Sequence, residues 1–217
     1  MPPSSTTLPA GSAPATVAPV DLPHAYRLLN HGPTVLVSAA HGGQRNVMAA
    51  AWNMPLDFDP PKVAVVIDKS TVTRGLVEAS GRFALNLPPV ALADATLTVG
   101  SVSARDSGPA TQPDKFTALN LPTWQATPDG PPLLQGCVGW LVCKLLPQPE
   151  LQQAHDLFLA EVESAWADTR VFAHGKYLPV ADIPPELRTL HHLGAGVFVS
   201  PGWQWQARLL EPVTPSH

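Results

Sequence analysis

Hydroxyl and basic side chains cluster where the sequence predicts that a strand becomes a helix. Lys69, Ser70, Thr71, Thr73 and Arg74 follow directly on the apolar run KVAVVID. Free N–H groups at a helix start attract anions, and hydroxyl and cationic side chains add hydrogen bonds to them. The segment therefore predicts a site for a monophosphate. The residue types alone leave a second interpretation open, an ordinary capped helix with solvated basic side chains.

Two adjacent histidines, His191 and His192, are the next candidates for chemistry. The sequence predicts a short helix over residues 185–191, and adjacent residues on a helix point about 100° apart. No Cys, Asp or Glu lies at a supporting spacing, so we predict no metal site. Two interpretations stay open: the histidines bind the last helix carbonyls, or they contact a bound cofactor.

The common nucleotide and hydrolase motifs are absent from the sequence. Gly194-Ala195-Gly196 is the nearest approach to G-x-G-x-x-G, but it lacks the third glycine and precedes a predicted strand. The chain has no Walker loop, no H-E-x-x-H, no paired C-x-x-C and no G-x-S-x-G. A Rossmann dinucleotide site is therefore not expected.

Composition excludes several further classes. The chain has 217 residues, with 13 Lys and Arg against 17 Asp and Glu, so its net charge of −4 gives no reason to expect nucleic acid as a partner. No apolar run approaches the about 18 residues of a membrane span. Cys137 and Cys143 lie about 20 Å apart in one predicted strand and cannot bridge each other. Free buried thiols predict a cytoplasmic location.

The elements that must position these residues are mostly short strands. We predict strands at residues 33–40, 46–54, 62–68, 82–87, 136–146, 157–166 and 196–200. Short helices are predicted at residues 70–79, 90–98, 113–119 and 185–191. Such a mainly β chain without regular βαβ alternation favours a barrel. Residues 1–20, rich in Pro, Ser, Thr and Ala, are predicted to be a disordered tail, and residues 21–217 a single domain.

Several ordered motifs resemble one known family. The segment from residue 26 to residue 88 contains GPTVLV, NVMAAAW, DPP, STVT and SGRFALNLP, and DKF follows at residues 114–116. Residues 132–143 and 156–166 supply two further strands of the same pattern. Together these motifs resemble the flavin reductase-like, FMN-binding split-barrel family over residues 26–200. The resemblance implies a split β-barrel, FMN as cofactor and a homodimer with the flavin at the subunit interface.

The resemblance also implies which residues surround the flavin. The strand of small residues is expected to lie along the isoalloxazine, with Met48 and Trp52 flanking the ring. The segment 68–74 is expected to hold the ribityl chain and phosphate, and His191 and His192 to reach the flavin or nicotinamide edge. The full set of expected cofactor contacts is Asn46, Met48, Ala49, Ala50, Ala51, Trp52, Asn53, Asp68, Lys69, Ser70, Thr71, Thr73, Arg74, Asn86, Ser101, Ser103 and Lys115.

The expected activity is that of an NAD(P)H-dependent flavin reductase, in which a nicotinamide delivers hydride to N5 of the flavin. A partner oxygenase or electron-transfer protein would then accept the electrons. Two departures from the family pattern are Ala160, where many relatives have Gly, and Ala51, where many NAD(P)H-dependent reductases have Asn. Ala51 keeps open an FMN electron-transfer protein that is reduced by a partner. The third interpretation is a split barrel without flavin, which either binds another planar ligand or serves as a structural dimer.

Overall fold

The computed structural model describes residues 11–102 and 114–209. The strands are β1 (Val17–Val20), β2 (Val35–His41), β3 (Gln44–Ala50), β4 (Asn53–Phe58), β5 (Pro61–Val66), β6 (Arg82–Leu87), β7 (Thr123–Trp124), β8 (Leu133–Leu134), β9 (Gly139–Leu146), β10 (Leu157–Asp168), β11 (Phe172–Ala173), β12 (Lys176–Tyr177), β13 (His191–Gly194) and β14 (Val197–Val199). The α-helices are α1 (Leu22–Ala25), α2 (Val72–Ser80), α3 (Ala93–Ser101), α4 (Lys115–Ala118) and α5 (Pro149–His155). Short 3₁₀ helices occupy Tyr26–Leu28, Val90–Leu92, Val180–Asp182 and Pro185–Leu187.

One antiparallel sheet forms the body of the molecule. Its strand order is β3-β2-β6-β9-β10-β5-β4, and β1 pairs with the far end of β10. The 12-residue strand β10 pairs along one side with β9, while its other side meets β5 at the start and β1 at the end. A register shift between Val162 and Ser164 bends the β9–β10 pair. The prediction of a mainly β split barrel with short inserted helices is confirmed.

Alternation along β2 shows how the sheet separates two apolar cores. Val35 and Val37 belong to the cluster that includes Phe158 and the inner face of α2. Leu36 points the other way, into a cluster with Val99 of α3 and Phe116 of α4. Successive side chains of a strand face opposite sides of a sheet, so both faces are covered. This explains why the strand sequences are continuously apolar.

Two of the predicted elements are wrong. Residues 46–54 do not form one strand, because the chain leaves its pairing with β2 at Ala50 and joins β5 at Asn53. Residues 185–191 do not form one helix: only Pro185–Leu187 is helical, as a 3₁₀ turn, and His191 begins strand β13. The turn over residues 194–196, all with positive φ, folds β14 back onto β13. Hairpin pairing therefore overrides the local helical tendency.

The expected disordered tail is wrong where the structure describes it. Residues 17–20 form β1, which pairs with Ala165–Asp168 of β10. The strand gains ladder hydrogen bonds, and Thr16 Oγ1 adds a bond of 3.0 Å to the Asp168 carboxylate. The hydrogen bonds of this pairing offset the conformational entropy that is lost when the segment becomes ordered, which its polar composition alone would not offset.

Cys137 and Cys143 are both free and buried, as expected from their spacing. Burial raises the pKa of each thiol. No helix in the described ranges combines the length and the apolar character needed to cross a membrane.

Candidate functional site

The bend at Ala51 and Trp52, between β3 and β4, is the centre of the candidate site. β3 ends the strand order of the sheet, so one of its edges has no neighbouring strand among the described residues. An open edge presents backbone N–H and C=O groups that need partners. Ala51 is exposed and Trp52 is 76% exposed, whereas Met48 packs partly against the main core. The structure therefore leaves Trp52, rather than Met48, available to cover a planar ligand.

The start of α2 lies next to this bend along the sheet. The N–H of Val66, the last residue of β5, donates to the carbonyl of Trp52 at 3.0 Å, and Asp68 follows two residues later. Thr71 caps the helix, because its Oγ1 accepts from the N–H of Arg74 at 3.3 Å. The predicted phosphate segment is thus brought to the same end of the barrel as the bend.

Within that segment Asp68 already accepts hydrogen bonds from the residues that follow it. The Ser70 N–H donates to its Oδ1 at 2.6 Å, and Thr71 Oγ1 donates to its carbonyl at 2.8 Å. The hydrogen bonds from the Ser70 side chain and backbone lower the pKa of Asp68, so it is ionised at neutral pH. Lys69 and Ser70 are exposed beside it. The N–H groups of Val72 and Thr73, in the first turn, remain the natural anion donors.

Arg74 is not placed as a phosphate ligand. Its Nε donates to Glu78 Oε1 at 2.9 Å, its Nη1 donates to Asp156 and its Nη2 donates to the Gln152 carbonyl at 2.8 Å. The guanidinium also lies over the Phe158 ring, 5.2 Å from its centroid. These groups lie on the side of α2 that faces α5 and β10. This internal ion-pair network satisfies the guanidinium within the protein, and the phosphate role of Arg74 stays a prediction.

Two buried polar atoms among the expected cofactor residues have no hydrogen-bond partner in the described ranges. They are Oδ1 of Asn53 and Oγ1 of Thr73. The Asn53 amide nitrogen, by contrast, donates to the Pro33 carbonyl at 2.8 Å, which fixes the orientation of the side chain. Thr73 lies on the inward face of α2 with Leu76 and Val77. Unpaired buried groups cost about 1–3 kcal/mol each, and a bound group that pairs with them removes that cost.

The end of α3 meets β3 at Ala49. A Cβ placed on Gly100 would lie 3.2 Å from the Ala49 Cβ, so the helix approaches the strand closely there. Lys115 Nζ donates to the Val99 carbonyl at 2.9 Å, and burial lowers the pKa of its ammonium. Ser101 Oγ bonds the Leu97 carbonyl within the helix. Ser101 and Lys115 are thus bonded to carbonyls of α3, and their expected contact with the cofactor stays a prediction, while Ser103 lies outside the described residues.

Asn86 and Asn46 are held inside the protein. The Asn86 amide nitrogen donates to the Leu36 carbonyl at 2.7 Å and to Ser38 Oγ at 2.9 Å, and its Oδ1 accepts from the Leu134 N–H at 2.9 Å. The side chain is fully buried and joins β6, β2 and β8, and its expected role at the cofactor site stays a prediction. Asn46 is also buried, and its Oδ1 accepts from the N–H of Val47.

The two histidines are connected to the bend by a hydrogen bond between His192 and Thr34. The His192 N–H donates to Thr34 Oγ1 at 3.1 Å, and Thr34 precedes Val35, the partner of Ala50 in the ladder. His191 is half-buried, and burial lowers the pKa of its imidazole. Because both residues lie in strand β13, the interpretation of a helix end that binds the last carbonyls is wrong.

Sequence reasoning missed His31. Its ring meets the His191 ring at 5.2 Å between centroids, and its Nε2 lies 2.8 Å from Thr189 Oγ1. Burial and, to a smaller extent, the neighbouring His191 lower the pKa of His31 to about 4, so the imidazole is neutral at pH 7. Its only signal in the sequence is its position directly before the GPTVLV motif. Among the described residues no group of three or more potential metal ligands occurs.

Comparisons with known proteins identify the family of this chain. The family model described as "Flavin reductase like domain" matches residues 27–181. The Escherichia coli K12 protein YddH, which is uncharacterized, is 47% identical over 187 residues, covering 85% of this chain and 94% of its own. The crystal structure of an FMN-binding domain of a flavin reductases-like enzyme from Shewanella baltica OS155 is 45% identical, with a TM-score of 0.83, over 88% of this chain and 97% of its own.

A more distant structure shares the fold alone. Flavoredoxin of Desulfovibrio vulgaris (Miyazaki F) is 20% identical, with a TM-score of 0.66, over 93% of this chain and 95% of its own. The family model spans well over half of the chain, and the motifs that carried the resemblance lie within it. The chain belongs to the family of flavin reductase-like, FMN-binding split-barrel proteins.

Proposed function

We propose that this protein holds FMN at the bend between β3 and β4 and reduces it with NAD(P)H. The observation that carries the proposal is the pair of unpartnered buried atoms, Asn53 Oδ1 and Thr73 Oγ1. One is an acceptor that suits the imide N–H of a flavin ring, and the other is a donor that suits a phosphate oxygen. FMN presents both groups, and the family to which the chain belongs binds it.

The residues around the bend have defined tasks in this proposal. Bound FMN would supply the redox chemistry by accepting hydride at N5. The open edge of β3 would hydrogen-bond the polar rim of the ring, and Trp52 would shield one face from water. Val72 and Thr73 N–H groups, with Lys69 and Ser70, would hold the phosphate. His192, fixed by Thr34, would face the ring edge.

A single spectroscopic experiment tests the reductase activity. The purified protein is loaded with FMN, gel-filtered and mixed anaerobically with NADH or NADPH in a stopped-flow instrument. Loss of flavin absorbance faster than with free FMN at the same concentration is expected for at least one nicotinamide. A protein that retains FMN and is bleached by neither nicotinamide contradicts the reductase activity, and a protein that binds no FMN contradicts the whole proposal.

Ala51 favours a second candidate, an FMN electron-transfer protein reduced by a partner protein. Many NAD(P)H-dependent relatives have Asn at this position, and an alanine offers no side-chain hydrogen bond to a nicotinamide amide. In the same stopped-flow experiment this candidate predicts tight FMN retention without bleaching by a nicotinamide. For either candidate we propose a partner oxygenase or electron-transfer protein as acceptor, a single FMN-binding domain and a cytoplasmic location, the last on the basis of the free buried thiols.

An exposed apolar stripe supports a homodimer. Met54, Leu56 and Phe58 alternate along the outer face of the edge strand β4, and Trp52 continues this row in the bend before the strand. Trp52 and Phe58 are 76% and 63% exposed. A contiguous apolar patch of this kind marks an interface. Because the stripe begins at the bend, a second copy seated on it would also enclose the proposed flavin.

A further inference from the structure

A cavity of about 340 Å³ lies outside the proposed flavin site. It lies between the 3₁₀ helix Tyr26–Leu28, strand β12 and the segment 178–189. His31 lines it, and the ring of the same residue meets His191. The volume falls in the range of small-molecule sites, which begins at about 300 Å³. The expected FMN residues do not line this cavity.

The walls of the cavity are apolar. Leu178, Val180 and Ile183 supply aliphatic surface from one chain segment, and Val171, whose carbonyl accepts from the Leu178 N–H at 2.9 Å, adds to it. The Tyr177 hydroxyl donates to the Leu28 carbonyl at 3.0 Å, so this residue presents its ring rather than a free polar group. Such a surface suits a carbon ring and excludes strongly hydrated groups.

The charged residues of the cavity are all cations. Arg27, Lys176 and Arg188 line it, and none of the ion pairs in the described ranges involves them. No Asp or Glu lines the cavity, although the chain as a whole carries a net charge of −4. Three cations, with no carboxylate among the residues that line the cavity, create a positive potential there. That potential favours an anion.

The two guanidinium groups are held in place by neutral acceptors. Arg27 Nη1 donates to the Gly175 carbonyl at 2.8 Å. Arg188 Nη2 donates to the Val180 carbonyl at 3.1 Å, and its Nε donates to the Ile183 carbonyl at 3.3 Å. Carbonyls orient a guanidinium without neutralising its charge. Each side chain also keeps further N–H donors, which suit a carboxylate.

We propose that this cavity binds a small apolar carboxylate, with a carbon skeleton of one or two rings. The rings pack against Leu178, Val180 and Ile183, and the carboxylate is drawn to the cationic rim. This ligand site is separate from the proposed flavin site and does not depend on whether FMN is bound. His31 lines the cavity and its ring contacts that of His191, so the ligand lies next to the proposed flavin site without entering it.

Calorimetric titration of the full-length protein, as purified, tests the proposal with benzoate and with benzamide, its neutral analogue. Benzoate should bind saturably with one site per chain. Benzamide should bind about tenfold more weakly, because it lacks the charge that the rim attracts. Equal affinities for the two compounds, or no saturable benzoate heat, would overturn the proposal. The FMN content of the same samples, read from absorbance, reports separately on the flavin proposal.

Two variants locate the site. Lys176→Gln should weaken benzoate binding about threefold to fivefold and leave benzamide unchanged, since exposed charge interactions are modest. Lys144→Gln removes the same charge from β9, outside the cavity, and should change neither affinity. Val180→Phe fills the cavity and should abolish binding of both compounds while the thermal unfolding profile stays cooperative. Equal effects of the two lysine changes, or retained binding in the folded Val180→Phe protein, would refute the assignment.

Discussion

Arg74 donates from Nη1 to the carboxylate of Asp156, and this ion pair joins the first turn of α2 to the residue that precedes β10. The Arg74 side chain is 13% exposed and that of Asp156 is 16% exposed. Since the same guanidinium also bonds Glu78 and the Gln152 carbonyl, it links three elements of the fold. Arg74, predicted from the sequence to bind the phosphate, is therefore also a crosslink within the fold.

Arg74→Ala should therefore reduce stability more than it reduces phosphate recognition. Loss of this network is expected to lower the free energy of unfolding by about 1–3 kcal/mol, because it strands the Asp156 carboxylate. FMN and riboflavin affinities should change in parallel. Thermal unfolding and fluorescence titration with both flavins measure the two effects. Arg82→Ala is the control, since its pair with Glu163 is more exposed and should matter by under about 1 kcal/mol. An FMN-selective loss of affinity would restore Arg74 as a phosphate ligand.

Thr73→Val tests whether the unpartnered hydroxyl serves the cofactor. Valine has nearly the same shape, so the variant without cofactor should be as stable as the original protein or more stable. FMN affinity should fall about tenfold, the usual worth of a hydrogen bond to a charged group. Thr96→Val removes another buried unpartnered hydroxyl, in α3, and serves as the matched control. If both variants bind FMN alike, Thr73 has no role in the site.

Phe58→Glu should convert the proposed homodimer into a monomer. A charge placed within an apolar interface loses its hydration without gaining a partner, which costs several kcal/mol. Light scattering coupled to gel filtration measures the mass. Leu97→Glu, on the 41% exposed position of α3, should leave the mass unchanged. If Phe58→Glu keeps the mass of the original protein, the β4 stripe is not the interface.

Asp168→Asn should destabilise the protein at neutral pH and not at low pH. Burial alone would raise the pKa of Asp168, but hydrogen bonds from the Arg170 side chain and backbone and from Thr16 hold it below its ordinary value. A carboxylate with a lowered pKa in the folded state stabilises it above the unfolded pKa of about 3.9, and this contribution is lost as pH falls through the folded pKa.

Melting temperatures of the Asp168→Asn variant and the original protein should differ by several degrees at pH 7, about 2–4 °C for each kcal/mol. The difference should begin to shrink below about pH 4, where Asp168 of the unfolded chain becomes protonated, and should disappear once the pH falls below the lowered pKa of the folded state. Asp129→Asn, at an exposed position, should show no such trend. A constant difference at all pH values would mean that charge is not the source of the effect.

Local pattern was enough to predict much of the fold. Arg82–Leu87 is a strand with the predicted bounds. The helix predicted over residues 70–79 differs from α2 by only two residues at its start and one at its end. Apolar runs, capping hydroxyls and glycine at a helix end are local signals, and Gly81 takes the positive φ that ends α2. Pattern failed at residues 46–54, because which strand a segment pairs with depends on distant residues. Val35 and Val65 decide where β3 ends and β4 begins.

The candidate site divides in the same way. The sequence by itself determined the family, through ordered motifs, and the stretches from which a flavin site is built. Only the tertiary structure decided that Arg74 and Asn86 turn inward to partners far along the chain, that His191 lies in a strand against His31, and that Trp52 stays open. Local sequence sets the conformation a segment prefers, but hydrogen-bond partners such as Asp156, 82 positions from Arg74, become neighbours only when the barrel closes.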